Sequence, residues 1–143
     1  MAGYSGTPLS KKLGLKPGSK VRFVHEPPSF QSLLEPLPPN IQILSALQTE
    51  LDLAILFVNS AAALRRDFSK LARSLQPAGM LWVAWPKKSS GVSTDLNFDV
   101  VQKTGLSTGL VDVKICAIDE IWSGLKFVIR KENRKSLGQS STR

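Results

Sequence analysis

The residues of this chain best suited to chemistry gather where apolar runs end. His25 and Glu26 follow one run, Asn59 and Ser60 a second, and the segment WPKKSSG at 85–91 closes a third. Lys87 and Lys88 place two positive charges beside the hydroxyls of Ser89 and Ser90. Thr94 stands as the N-cap of an expected helix whose free amides face the same place. That combination suits a small anionic ligand bearing a phosphate or carboxylate. The expected ligand-binding set is therefore His25, Asn59, Trp85, Lys87, Lys88, Ser89, Ser90 and Thr94, with no catalytic residue and no metal ligand. His25 beside Glu26 has the makings of a base with an orienting acid. Adjacent strand residues point to opposite faces, however, so a hydrogen-bonded histidine at a strand end is the simpler expectation.

Other chemistries are excluded by composition. One histidine and one cysteine rule out His-rich sites, multi-Cys metal sites and an internal disulfide. Cys116, set among Ile115, Ala117 and Ile118, is expected to be buried and inert. No Ser-His-Asp spacing, paired-carboxylate motif or P-loop is present. Trp82 reads as core. Trp85 and Trp122 could wall a crevice by stacking on a ring, with packing as the plainer role.

These residues are positioned by alternating strands and helices. A short helix is expected over 8–13, with Thr7 as cap and Gly14 as stop. Strands follow at 20–25 (KVRFVH), 41–44 and 51–58 (LDLAILFV), with a brief helix carrying Phe30, Leu33 and Leu34 before the Pro-rich stretch 36–39. A helical reading of 42–48 is the alternative to the second strand. Ala61, Leu64, Phe68, Leu71, Ala72 and Leu75 lie on a 3.6-residue stripe with Arg65, Arg66, Lys70 and Arg73 facing away. This predicts a helix capped by Asn59 or Ser60 and ended by Pro77-Ala78-Gly79. The apolar run 80–85 (MLWVAW) is a strand, and a helix is expected from 95 to 104 with Gly105 as its stop. Runs at 110–118 and 122–130, about three residues apart, require an antiparallel hairpin. Such an order builds a three-layer α/β fold, a mostly parallel sheet covered on both faces.

The 143 residues suffice for one domain, expected at 1–131, with a polar tail at 132–143 expected to be disordered. The net charge of +8 is concentrated at the ends: residues 1–22 carry +5, residues 126–143 carry +5, and the body between them is slightly acidic. Basic ends hold polyanions in a salt-sensitive way, so weak nucleic-acid binding through the termini is one expectation; simple solubility is another. No apolar run is long enough for a membrane helix and the start, MAGYSG, lacks an apolar signal core, so a cytoplasmic protein without membrane contact is expected.

Two resemblances extend this reading. Leu15-Lys16-Pro17-Gly18-Ser19-Lys20-Val21, Leu75-Gln76-Pro77-Ala78-Gly79-Met80-Leu81 and the closing hairpin resemble the corresponding parts of a shortened Rossmann-type S-adenosylmethionine methyltransferase fold, over roughly residues 13–131. The chain is also similar to a family of small uncharacterised bacterial proteins, a domain of unknown function. That likeness rests on the opening Ala2-Gly3-Tyr4-Ser5-Gly6-Thr7-Pro8-Leu9, on Lys11-Lys12-Leu13-Gly14, on Trp82-Val83-Ala84-Trp85-Pro86-Lys87-Lys88 and on Trp122-Ser123-Gly124-Leu125-Lys126. The methyltransferase resemblance implies a glycine-rich loop after the first strand, where backbone approaches the donor without a Cβ in the way. Here Glu26-Pro27-Pro28 occupies that bend, no glycine occurs between Ser19 and Ala78, and the acid usual after the second strand has only Glu50 or Asp52 as stand-ins. The expectation is therefore no cofactor, S-adenosylmethionine included, and a non-catalytic binding or interaction module. A degenerate S-adenosylmethionine-dependent methyltransferase is the alternative.

Overall fold

The computed structural model describes residues 7–45 and 50–132. Most of the opening motif at 1–6, part of the alternative helix at 42–48 and all of the expected tail except Glu132 therefore lie outside the described residues. Six strands form one sheet: β1 (Lys20–Val24), β2 (Gln42–Ile43), β3 (Leu51–Phe57), β4 (Leu75–Pro86), β5 (Leu110–Ala117) and β6 (Trp122–Ile129). Their spatial order is β2-β1-β3-β4-β6-β5. The first four are parallel, and β6 runs antiparallel to both β4 and β5. The expected α/β architecture is the observed one.

The central strands determine the layers. β3 and β4 are apolar at nearly every position, so both faces of the sheet must be covered. On one face Ala54, Leu56, Leu81, Val83 and Trp85 meet α3 (Ala61–Ser74) and α4 (Phe98–Ser107). On the other, Leu53, Ile55, Phe57, Trp82 and Ala84 meet α1 (Leu9–Leu13) and α2 (Phe30–Leu33). Trp82 is fully buried, and its indole N–H donates to the Leu13 carbonyl at 2.8 Å, pinning α1 to the centre of the sheet. Gly14 ends α1 at φ 95°, with Met80 so close that a Cβ there would strike its sulfur.

Several boundaries differ from the sequence-based expectation. Pro8, not Thr7, holds the N-cap position of α1. The chain enters β4 directly at Leu75, so Pro77-Ala78-Gly79 lies within an irregular strand start, where pairing with β3 jumps from Leu75 to Met80. The helix expected from Asp95 begins at Phe98, capped by Asn97, whose side chain accepts from the Val100 amide at 2.9 Å. Thr94 lies in the turn before the helix, where its hydroxyl donates to the Asn59 carbonyl at 2.6 Å and accepts from the Leu96 amide at 3.1 Å. Gly105 is not a stop. It lies inside α4, where the absence of a side chain lets Phe127 pack against the helix backbone. Cys116 is half-exposed rather than buried, because β5 is an edge strand.

Gly105 supplies a direct test of this packing. Gly105→Ala gains roughly 1 kcal/mol of helix propensity, yet the new methyl overlaps the Phe127 ring. Net destabilisation of about 1–3 kcal/mol is expected from urea unfolding midpoints; an unchanged midpoint would show that the ring has room to withdraw.

Candidate functional site

Strand order locates the crevice. From β1 the chain steps outward to β2, then returns past β1 to β3, so the direction of winding reverses between β1 and β3. In open parallel sheets ligands sit beyond the carboxyl ends of the strands at that reversal. His25 follows β1 there, and Val58 and Asn59 follow β3.

His25 makes the turn out of β1 with a left-handed backbone, φ 60°. Glycine adopts this conformation freely, while histidine is among the few other residues that tolerate it. The sharp bend is thus made without glycine, and a cavity of about 220 Å³ opens beside it, lined by His25, Phe57, Val58, Asn59, Ala63 and Trp122. Its floor belongs to a run of edge-to-face rings: Phe23 on Phe30 at 5.1 Å, Phe30 on Phe57 at 4.8 Å and Phe57 on Trp122 at 5.1 Å. The His25 ring is 59% exposed, with Nε2 3.6 Å from Asp67 Oδ2 on α3; its charged neighbour is therefore Asp67 and not the adjacent Glu26. Hydrogen bonds from Arg66 hold the Asp67 carboxyl below the ordinary aspartate range. Burial opposes this, and the charges of Arg66, His25 and Lys70 add to the lowering. The stability this provides is complete above the unfolded value of about 3.9 and is lost as pH falls through the lower folded value.

A second cavity, about 650 Å³, lies at the end of β4 on the α4 side of the sheet. Trp85, Leu96 and Phe98 supply apolar wall, and Lys87, Lys88, Thr94 and Ser123 supply charge and polar groups. The walls are tied down by hydrogen bonds that also join the two cavities' supports. Thr94 donates to the carbonyl of Asn59, Asp95 Oδ1 accepts from the Ala61 amide at 2.8 Å, and the Lys87 amide donates to Ile121 at 2.7 Å.

The expected site residues thus divide. His25 and Asn59 line the smaller cavity; Trp85, Lys87, Lys88 and Thr94 line the larger. Ser89 lines neither. The Ser90 hydroxyl is committed to its own turn, donating to the Lys87 carbonyl at 2.6 Å and accepting from the Val92 amide. Phe57, Ala63, Leu96 and Phe98 went unnoticed in the sequence because apolar residues near strand and helix ends look like ordinary core. Asp52 and Glu50 are at the start of β3, the opposite end of the sheet. The Asp52 carboxylate there accepts from the Lys20 amide at 2.9 Å and from Gln76 at 3.0 Å, so neither acid belongs to the crevice. Among the described residues no His, Cys, Asp and Glu cluster could hold a metal ion, and no helix is long and apolar enough to cross a membrane.

Known structures share this architecture. A possible exported protein from Bordetella parapertussis aligns over 85% of this chain and 65% of its own at 14% identity, TM-score 0.54. An S-adenosylmethionine-dependent methyltransferase from Aquifex aeolicus aligns over 84% of this chain and 87% of its own at 14% identity, TM-score 0.56. An S-adenosylmethionine-dependent O-methyltransferase from Thermotoga maritima aligns over 86% and 64% at 7% identity, TM-score 0.61. Magnesium protoporphyrin IX methyltransferase from Synechocystis, solved with S-adenosylmethionine bound, aligns over 85% and 74% at 11% identity, TM-score 0.56. The chain thus spans somewhat less than two thirds of the Bordetella and Thermotoga proteins. No family model matches it, and no curated protein is similar in sequence. At these identities the likeness establishes a methyltransferase-like Rossmann fold.

The expectation of no cofactor is overturned by three of these neighbours: the Aquifex and Thermotoga proteins are S-adenosylmethionine-dependent methyltransferases, and the Synechocystis methyltransferase holds S-adenosylmethionine. Its steric premise also fails. The prolines follow the bend without filling it, because His25 turns the chain first and leaves the crevice open.

The turn at His25 can be tested by stability. His25→Gly is expected to melt within about 1 kcal/mol of the parent, whereas His25→Val should lose about 1–2 kcal/mol, since a β-branched residue resists the left-handed region. Equal melting of the two variants in calorimetry would mean that position 25 is not held left-handed.

Proposed function

We propose that this chain, acting as one α/β domain over residues 1–131, is a shortened S-adenosylmethionine-dependent methyltransferase that takes its donor in the crevice beside His25. The observation that carries this reading is the open cavity at the winding reversal, floored by aromatic rings in a methyltransferase-like sheet. The donor's sulfonium is a cation, and such a group is attracted to the faces of Trp122 and Phe57. Asn59 supplies an amide that both donates and accepts, and the His25 imidazole offers a nitrogen at the rim. At about 220 Å³ the crevice is smaller than the roughly 300 Å³ at which pockets for drug-sized ligands begin, so it accommodates one part of the donor. When bound, the donor supplies a methyl group on positively charged sulfur, open to attack by a nucleophile.

The larger cavity takes the second ligand. Its volume of about 650 Å³ lies within the range of small-molecule sites. Lys87 and Lys88 favour an anionic group, while Trp85 and Phe98 favour an apolar or ring-bearing body. Asp95, the acid in its wall, is engaged by the Ala61 amide. This reading keeps the small anionic ligand inferred from the sequence and makes it the methyl acceptor. The likeness to small bacterial proteins and a cytoplasmic setting belong to the same proposal; Cys116, the lone cysteine, gives the chain no disulfide that an oxidising compartment could supply.

Calorimetric titration with S-adenosylmethionine is expected to give measurable heat, with amide shifts centred on His25, Asn59 and Trp122. Trp122→Ala should weaken binding by about 3- to 30-fold. Absence of heat at millimolar donor, or shifts confined to the opposite end of the sheet, would reject the reading.

A further inference from the structure

The hairpin β5–β6 packs against α4 through Leu125 and Phe127 on one face. On the other face Lys114 and Lys126 stand directly opposite each other in the antiparallel ladder. Like charges in that position repel and destabilise a sheet. Lys126 is also paired across the β4–β6 ladder with Trp82, the residue that anchors the end of α1. Lys16, two residues beyond Gly14, is thereby brought to the same place, and Lys11 and Lys12 occupy the last turn of α1. None of Lys16, Lys114 and Lys126 forms an ion pair among the described residues. Partial burial, and then the charges of Lys114 and Lys16, push the Lys126 ammonium below its ordinary range. Three cations from distant parts of the sequence thus converge, and among the described residues no acid pairs with them.

We propose that Lys16, Lys114 and Lys126 form a binding face for the phosphate backbone of a nucleic-acid duplex. A polymer suits the arrangement better than a single phosphate, because the charge continues from the hairpin onto α1 in a chain of net charge +8. A duplex suits it better than a single strand, because Trp82, the ring beside Lys126, is wholly buried and offers no stacking platform. Binding is therefore electrostatic and independent of base sequence. This replaces the picture of basic termini acting by themselves: Lys114 comes from the near-neutral body of the chain, and only the fold adds it to the patch.

The test is fluorescence anisotropy of the full chain with a labelled random-sequence duplex of about 20 base pairs, titrated across salt. The variant K16Q/K114Q/K126Q is expected to bind on the order of tenfold more weakly at low salt. The slope of log affinity against log salt should fall by about 2–3, near 0.9 for each lost phosphate contact. Lys103→Gln, on α4 across the sheet, should bind as the parent does. Removing mutual repulsion should leave the triple variant at least as heat-stable as the parent, so weaker binding cannot be laid to unfolding. No binding by the parent at low salt, an unchanged slope in the triple variant, or equal retention of polyglutamate would each overturn the proposal. Since the patch lies apart from the residues lining both cavities, the outcome is independent of the donor titration.

Discussion

Burying β3 and β4 on both faces is the constraint from which the remaining structure follows. Leu53, Ile55 and Trp82 require cover on one side of the sheet, and Leu56, Leu81 and Val83 require it on the other. Each such side chain contributes about 1.5–3 kcal/mol when fully buried, so neither layer of helices can be dispensed with. Trp82 shows how polar detail is fitted to that demand. Its ring fills the core, and its single donor reaches the carbonyl of Leu13. A buried indole left without that partner would oppose the burial that holds it there. The short α1 is therefore held by tertiary contact, since five residues are too few for a stable helix in isolation.

The same burial explains why the polar residues lie at strand ends. Strands apolar on both sides have no interior position for a ligand-binding group, and such groups are confined to the turns where the chain leaves the sheet. At the carboxyl edge those turns are braced against one another. Thr94 and Asp95 reach from the segment before α4 to the segment opening α3, and the Lys87 amide reaches across to the hairpin. The two cavities share these supports. His25 adds a local cost, a non-glycine residue held left-handed, at the point where β1 meets the crevice. Backbone strain of this kind persists where surrounding structure over-determines it, and it is concentrated at functional sites.

Charge follows a different logic from packing. The ion pairs among the described residues centre on Asp67, which Arg66 and His25 share beside the crevice. On the hairpin, by contrast, Lys114 is set directly opposite Lys126. Such repulsion is a small debit against the hydrophobic core, and it is tolerable because the core is extensive.

The fold class was legible in the residues themselves. Near-continuous apolar runs at β3 and β4, the 3.6-residue stripe of Leu64, Phe68 and Leu71, and the short gap before β6 each admit essentially one reading under local stereochemistry. Capping was less legible, because Thr94, Asp95 and Asn97 are all competent caps. The choice among them fell to contacts with Asn59 and Ala61, more than thirty residues away. Gly105 was illegible for the same reason: a glycine near a helix end looks like a stop until a ring such as Phe127 is packed upon it. The crevice was not legible, because a bend without glycine does not mean a bend without space: His25 makes the turn and leaves a cavity beside it. Which segments become strands and helices, and which faces they bury, is dictated locally, by neighbours a few positions away. Which strand ends meet, where the chain leaves open space and which lysines converge emerge only in the folded molecule, because they depend on strand order and register across the whole sheet.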